Sequence, residues 1–316
     1  MPATERPLPG EGEVLVLRAL GLGDLLTALP ALRALRAAFP AHRLTLAAPA
    51  ILAPLALHSG AVDRLVPTEP LGPLPVRRPA LAVNLHGAGP QSHRRLLETE
   101  PARLIAFAHA DVPETAGLPA WRDDEHEVWR WCRLLRECGI PADPGRLDLD
   151  TGGLRGPERD RGATVVHPGA GAPARQWPVE RWAAVARHEA DLGRPVLVTA
   201  GPGEIGLAAR VAAAAGLGTA ALRSGRDLLG LAGLIAGAAR VVSCDTGIAH
   251  LATALGRPSE VLFGPVSPAA WGPPAGARHR ALWTGRRGDP HGDRPDRGLL
   301  EIEPHHVIEA LAALPT

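Results

Sequence analysis

The chain has 316 residues, 46% hydrophobic and 21% charged, with a formal net charge of +1. That length exceeds what one hydrophobic core ordinarily organises, so two domains of about 150 residues each are expected, and the near-neutral charge implies no nucleic acid as a partner. All 34 basic residues are arginine and tyrosine is absent, which excludes a lysine-containing phosphate loop, a pyridoxal Schiff base, a lysine nucleophile and phenol acid–base chemistry.

Residues 1–10 carry Glu5, Arg6 and prolines, and the apolar run that follows is cut by Arg18 and Asp24, so no signal peptide is expected. From Val14 the pattern is strand, glycine turn, helix, repeated: strands at residues 14–18, 43–48, 62–66 and 80–85, helices at 24–38 and 51–58. The uncharged stretch 44–62 contains Pro49, Pro54 and His58, which does not suit a membrane span. A helix is predicted over 125–137, where Val128, Trp131, Leu134 and Leu135 recur at helical spacing. Residues 141–162, rich in Pro, Gly, Asp and Arg, read as a linker. The rhythm then restarts, with strands at 163–167, 195–199, 219–222, 240–243 and 260–263 and helices opening at Pro178, Gly203, Asp227 and Thr246. A last helix, 304–314, follows a polar loop at 285–296 and carries an apolar stripe of Val307, Ile308 and Leu311.

Alternation of this kind predicts an α/β chain of two doubly wound Rossmann-like domains facing across a cleft, with ligands at the carboxyl ends of the strands. The expected domains are residues 1–155 and 156–316, the last helix packing back on the first. Cys132, Cys138 and Cys244 are odd in number and match neither a zinc pair nor a disulfide framework. A soluble, cytoplasmic monomer without a transmembrane segment is the expectation.

Four stretches carry candidate chemistry. Gly21 and Gly23 make a tight turn after the first strand and set Asp24 at the helix start, either as an N-cap or as a general base facing an acceptor hydroxyl. His167, Pro168, Gly169, Ala170 and Gly171 form a second glycine loop whose N–H groups suit phosphate oxygens, with Arg175 adding a cation and Trp177 either anchoring the helix or stacking on a ligand. Residues Gly201, Gly203 and Gly206 spell a dinucleotide fingerprint, which favours a rival reading as an NAD(P)-dependent oxidoreductase, with Asp227 near the ribose position. Asp227 falls beyond the next strand, however, where it reads as a helix cap, and Glu204 then suits a ribose or base edge. Finally Asp245 reads as a cap, Thr246 and Gly247 offer N–H groups at a helix start, and His250 shares that face of the first turn.

In order, Gly23 and Asp24 with Pro30, the run Ala61 to Arg64, His167 to Gly169 with Trp177 and Pro178, Gly201 to Glu204, Asp245 to Gly247 with His250, and Phe263 to Pro265 resemble glycosyltransferase family 9, the family of the ADP-heptose lipopolysaccharide heptosyltransferases. The resemblance covers nearly the whole chain. It implies a GT-B fold and an inverting transfer that uses neither metal nor cofactor. The donor is then a nucleotide-diphosphate sugar and the acceptor a glycan, lipid-linked or small-molecule hydroxyl. By position Asp24 resembles the family's base, Arg175 its phosphate-binding cation and Glu204 its nucleoside contact, while Asp245, Thr246, Gly247 and His250 resemble its diphosphate loop. The chain departs from the family in carrying arginine at 175, where lysine is usual, and in lacking hydroxyl residues over 170–174.

Other constellations carry less. Asp289, His291, Asp293 and Asp296 lie in a glycine- and proline-rich loop and are expected to be solvated rather than a metal cluster, and His305 and His306 to be exposed. No serine-hydrolase or zincin motif occurs. A non-catalytic sugar-nucleotide binding module remains the third class.

Overall fold

The computed structural model describes residues 12–225 and 227–315; the leader reading of residues 1–10 lies outside them. The chain divides into two compact units, Met1–Leu147 and Asp148–Thr316.

In the first unit the elements run β1 (Glu13–Leu17), α1 (Leu22–Ala38), β2 (Arg43–Ala48), α2 (Ala53–His58), β3 (Arg64–Pro67), β4 (Leu81–Asn84), α3 (Gln91–Leu97), β5 (Leu104–Ile105) and α4 (Glu127–Glu137). The sheet is parallel with order β3-β2-β1-β4-β5. Central β1 is buried on both faces from Val14 to Leu17 and pairs Val14 with Leu44 on one side and Leu81 on the other. Continuous apolar strands are what a doubly covered parallel sheet demands. Helix α1 runs through Pro30, which removes one intrahelical donor, and packs against α4.

The second unit contains β6 (Thr164–His167), α5 (Val179–Asp191), β7 (Val196–Thr199), α6 (Ile205–Ala214), β8 (Leu222–Arg223), α7 (Leu228–Gly237), β9 (Arg240–Cys244), α8 (Gly247–Ala254), β10 (Ser259–Leu262), α9 (Pro268–Trp271), β11 (His279–Leu282), α10 (Arg297–Leu300) and α11 (Pro304–Ala312). Its parallel sheet has the order β11-β10-β9-β6-β7-β8. Trp177, Trp182, Val198, Val242, Leu262, Val307 and Leu311 share one core on one face of this sheet.

The units part at Leu147, before the boundary expected at 155, because the intervening residues are fastened to the second unit. Leu149 N–H donates to Ala254 O at 2.7 Å. At 156 the backbone crosses α7 so closely that a Cβ on Gly156 would lie 2.6 Å from Gly233 O. The last helix, α11, belongs to this second unit. It packs on α5, β10 and β11 of its own unit, where Val307 and Leu311 are fully buried.

Candidate functional site

In each sheet the first strand sits where the strand order reverses, between β2 and β4 in one unit and between β7 and β9 in the other. Loops leaving the carboxyl ends at such a switch point diverge and leave a crevice for ligands. Asp24 follows β1, and the loops holding Arg175 and Thr246 follow β6 and β9. The topology thus brings Asp24, Arg175 and Thr246 to the switch point of their own unit, while Glu204, after β7, lies one strand away.

Asp24 is not the helix cap. Gly21 holds that position with an extended backbone, Gly23 already lies in the first turn of α1, and Asp24 is the third helical residue. Its Oδ2 accepts from Gly21 N–H at 3.1 Å. Its Oδ1 accepts from Nη2 of Arg18 at 3.0 Å. Arg18 directly follows the buried strand β1 and is itself 1% exposed, so its charge requires partners. It also donates to Asp24 O, Leu85 O and Glu127 Oε1 and lies over the Trp131 ring. Burial pushes the Asp24 carboxyl above its ordinary range, Arg18 opposes that, and Glu127 adds to it. The Asp24 side chain remains 25% exposed, and each oxygen keeps a free lone pair. A carboxylate that is basic for its type and open to solvent is able to take a proton. Nearby, His86 N–H donates to Asn84 Oδ1, and burial and Arg18 hold the His86 ring below its usual pKa, hence neutral.

In the second unit Arg175 closes a single 3-10 turn, Pro173–Arg175. Its Nε is buried and has no hydrogen-bond partner, and its Nη2 would stand 3.2 Å from a Cβ on Gly171. The turn is clamped from the polar loop: Ala174 N–H donates to Gly292 O, and Asp296 N–H donates to Ala174 O. Asp289, His291 and Asp293 are exposed as expected, but Asp296 caps α10 through Gly298 and Leu299 N–H. Thr246, not Asp245, is the N-cap of α8, and its Oγ1 is buried without a partner. Asp245, directly after β9, is buried and donates its N–H to Leu262 O. His250, on the first turn of α8, meets the Trp271 ring edge-on at 6.0 Å. The Arg175 guanidinium nitrogen on the turn after β6 and the Thr246 hydroxyl at the α8 N-cap are both buried and unpaired, which is the kind of polar group an anion would satisfy.

Glu204 precedes α6 and folds back so that Oε2 accepts from Gly201 N–H at 2.8 Å. Gly203 makes the turn at φ +81°. His167, at the end of β6, has Nδ1 2.9 Å from Thr199 Oγ1 and Nε2 3.7 Å from Glu204 Oε2. Burial holds its pKa down. This geometry removes the dinucleotide reading. The fingerprint loop follows β7, one strand away from the switch point, and the Glu204 carboxylate already occupies the N–H that a pyrophosphate needs. Asp227 caps α7, accepting from Gly230 N–H at 2.7 Å. In dinucleotide folds the acidic ribose ligand lies about 20 residues beyond the fingerprint; Glu204 lies further along the chain from the first strand's loop, at the end of the neighbouring strand.

Trp177 is a packing residue: it is 1% exposed, donates Nε1–H to Ile302 O at 3.0 Å and meets Trp182 edge-on. The three cysteines are buried thiols, with Cys132 and Cys244 pushed up to about 12 and Cys138 to about 11. None supplies a thiolate near neutral pH. Among the described residues no group of three or more potential ligands gathers to hold a metal, and no helix is long and apolar enough to cross a membrane.

Sequence reasoning missed Glu127 as a partner of this site. It lies 109 residues from Arg18, and the one local hint was an arginine ending a strand that is otherwise apolar.

A family model described as glycosyltransferase family 9 (heptosyltransferase) matches residues 118–298, which takes in every predicted donor-side residue and leaves Asp24 outside. The chain is 27% identical to lipopolysaccharide heptosyltransferase 2 of Escherichia coli K12 over 358 residues, covering 96% of this chain and 98% of that protein. Among solved structures, E. coli ADP-heptose LPS heptosyltransferase II superposes with a TM-score of 0.73 at 22% identity, covering 95% of this chain and 98% of the other. E. coli heptosyltransferase WaaC with ADP gives 0.72 at 20%, covering 95% and 99%. Likeness at this level shows the fold, which is GT-B.

Proposed function

The chain belongs to glycosyltransferase family 9, the heptosyltransferases, and from that membership we propose that it moves a heptose from ADP-heptose to an acceptor hydroxyl, inverting the anomeric carbon without a metal ion. Two observations carry the donor half: Thr246 Oγ1, buried and unpartnered at the start of α8, and Arg175 Nε, buried and unpartnered on the turn that follows β6. A diphosphate is the ligand that would satisfy both, together with the N–H groups of Gly247 and its neighbours. His250 adds a ring on the same turn, Asp245 fixes the strand end beneath it, and Glu204 is assigned to the ribose.

Charge bookkeeping then gives the mechanism. As the bond from the anomeric carbon to the diphosphate oxygen breaks, its electron pair leaves on the diphosphate and positive charge grows on the sugar. Arg175 and the helix N-terminus stabilise the leaving group, which is the work a divalent cation would otherwise do. Asp24 takes the proton of the acceptor hydroxyl, and the freed O–H pair forms the new bond to the opposite face of the sugar. One displacement inverts the centre.

The test is Asp24→Asn. Transfer should fall by about 10²–10⁴-fold, with ADP binding measured by calorimetry unchanged. A variant that turns over at the parental rate overturns the base assignment. Transfer that vanishes in chelator and returns with a divalent metal overturns metal independence.

A further inference from the structure

We propose that Glu127 is a positioning residue for the base: by sharing the Arg18 guanidinium with Asp24, it keeps part of that positive charge off the Asp24 carboxylate and leaves it able to accept a proton. The inference rests on the reading of Asp24 as the base and deepens it.

The geometry is specific. Arg18 Nη2 lies 3.0 Å from Asp24 Oδ1 and 2.8 Å from Glu127 Oε1, so one nitrogen serves two carboxylates and the shorter bond goes to Glu127. Trp131 Nε1–H fixes the same Glu127 oxygen at 2.9 Å, and Arg130 pairs with Oε2. Glu127 is thus held on both oxygens and buried, while Asp24 is the partly exposed member. A lone carboxylate against a buried guanidinium is held strongly ionised and makes a poor base. A second carboxylate on the same guanidinium reverses part of that effect, because like charge disfavours ionisation.

The charges around the pair point the same way. Arg18 comes from the end of β1, His86 from beyond β4, and Arg130 from α4 itself; Arg133 of α4 pairs separately with Glu125, just before the helix. Arg18 and Arg130 hold Glu127 below the usual carboxylate range despite its burial, so it stays charged. His86 is kept neutral. The division of labour is an ionised, immobile Glu127 and a titrating, solvent-reaching Asp24.

Two variants with opposed expectations test this. Glu127→Gln keeps the shape and an acceptor oxygen but removes the charge. The acidic limb of the kcat/KM profile should move to lower pH and the plateau should fall about three- to tenfold, with ADP binding unchanged. Arg130→Gln leaves the Glu127 charge less compensated, so the limb should move to higher pH. A role confined to folding would not displace the limb in opposite directions. A parental limb in Glu127→Gln, or displacement of both variants the same way, overturns the proposal. Should Glu127→Gln not fold, Arg130→Gln carries the test, and a limb that stays or moves down overturns it. Asp24→Asn is measured alongside: parental turnover there removes the base itself, an outcome separate from any failure of Glu127.

Discussion

The carboxylate of Glu204 rests on Gly169, in the space that a side chain at 169 would fill, so that both its oxygens and its Cδ would collide with a Cβ there. Gly169 is required by this approach and not by its own backbone angles. Gly169→Ala should therefore expel the carboxylate and break its bond to Gly201 N–H. We expect the Kd for ADP to rise about tenfold, equivalent to ~1.4 kcal/mol, with the melting temperature little changed. Parental ADP affinity in a folded Gly169→Ala protein would disconnect Glu204 from the nucleoside.

Arg175 should act on phosphate and not on the nucleoside. A hydrogen bond between charged groups contributes about 1.5–3 kcal/mol, so Arg175→Ala should weaken ADP binding by roughly tenfold to a hundredfold and leave adenosine binding unchanged. Calorimetry with both ligands checks it. Arg175→Lys should recover only part of the loss, because an ammonium lacks the planar fork.

Trp177 illustrates how much of the site was legible in the sequence, and at what point legibility stopped. Its place before a helix gave a choice between anchor and stack, and the bond to Ile302 O decides for the anchor. Strand β2 falls on the residues expected because a buried parallel strand writes itself as a continuous apolar run. Edge strand β11 was missed: its residues His279 to Leu282 are half-buried or exposed, so no such run exists. The N-cap alternative for Asp24 gave way to the third helical position, since a carboxylate near a helix start fits the N-cap and the third position equally well. The contacts of Arg18 with Glu127 and of Glu204 with Gly169 join separate elements, and nothing local in the chain encodes them. For Trp177 the expected cost of Trp177→Phe is about 1 kcal/mol for the lost hydrogen bond, read as a lower melting temperature with parental KM for the donor.

Glu260, in the middle of β10, is fully buried with neither carboxylate oxygen hydrogen-bonded. Its register partner Arg280 is exposed and lowers the carboxyl's pKa only partly, so burial pushes it up to about 8. The ordinary value is 4.5. Between those limits the folded chain holds a proton that the unfolded chain has released, so stability falls as pH rises from about 4.5 and levels off above about 8. Integrated over that interval the loss is on the order of a few kcal/mol. Glu260→Gln cannot ionise and should escape it. The variant and its parent should melt together near pH 4, and the variant should gain steadily to about pH 8, with a difference of roughly several degrees for a unit of this size. Equal melting temperatures across that range would mean that the carboxylate finds a partner on ionising, and that the strand is not the acid-stabilised element its burial makes it.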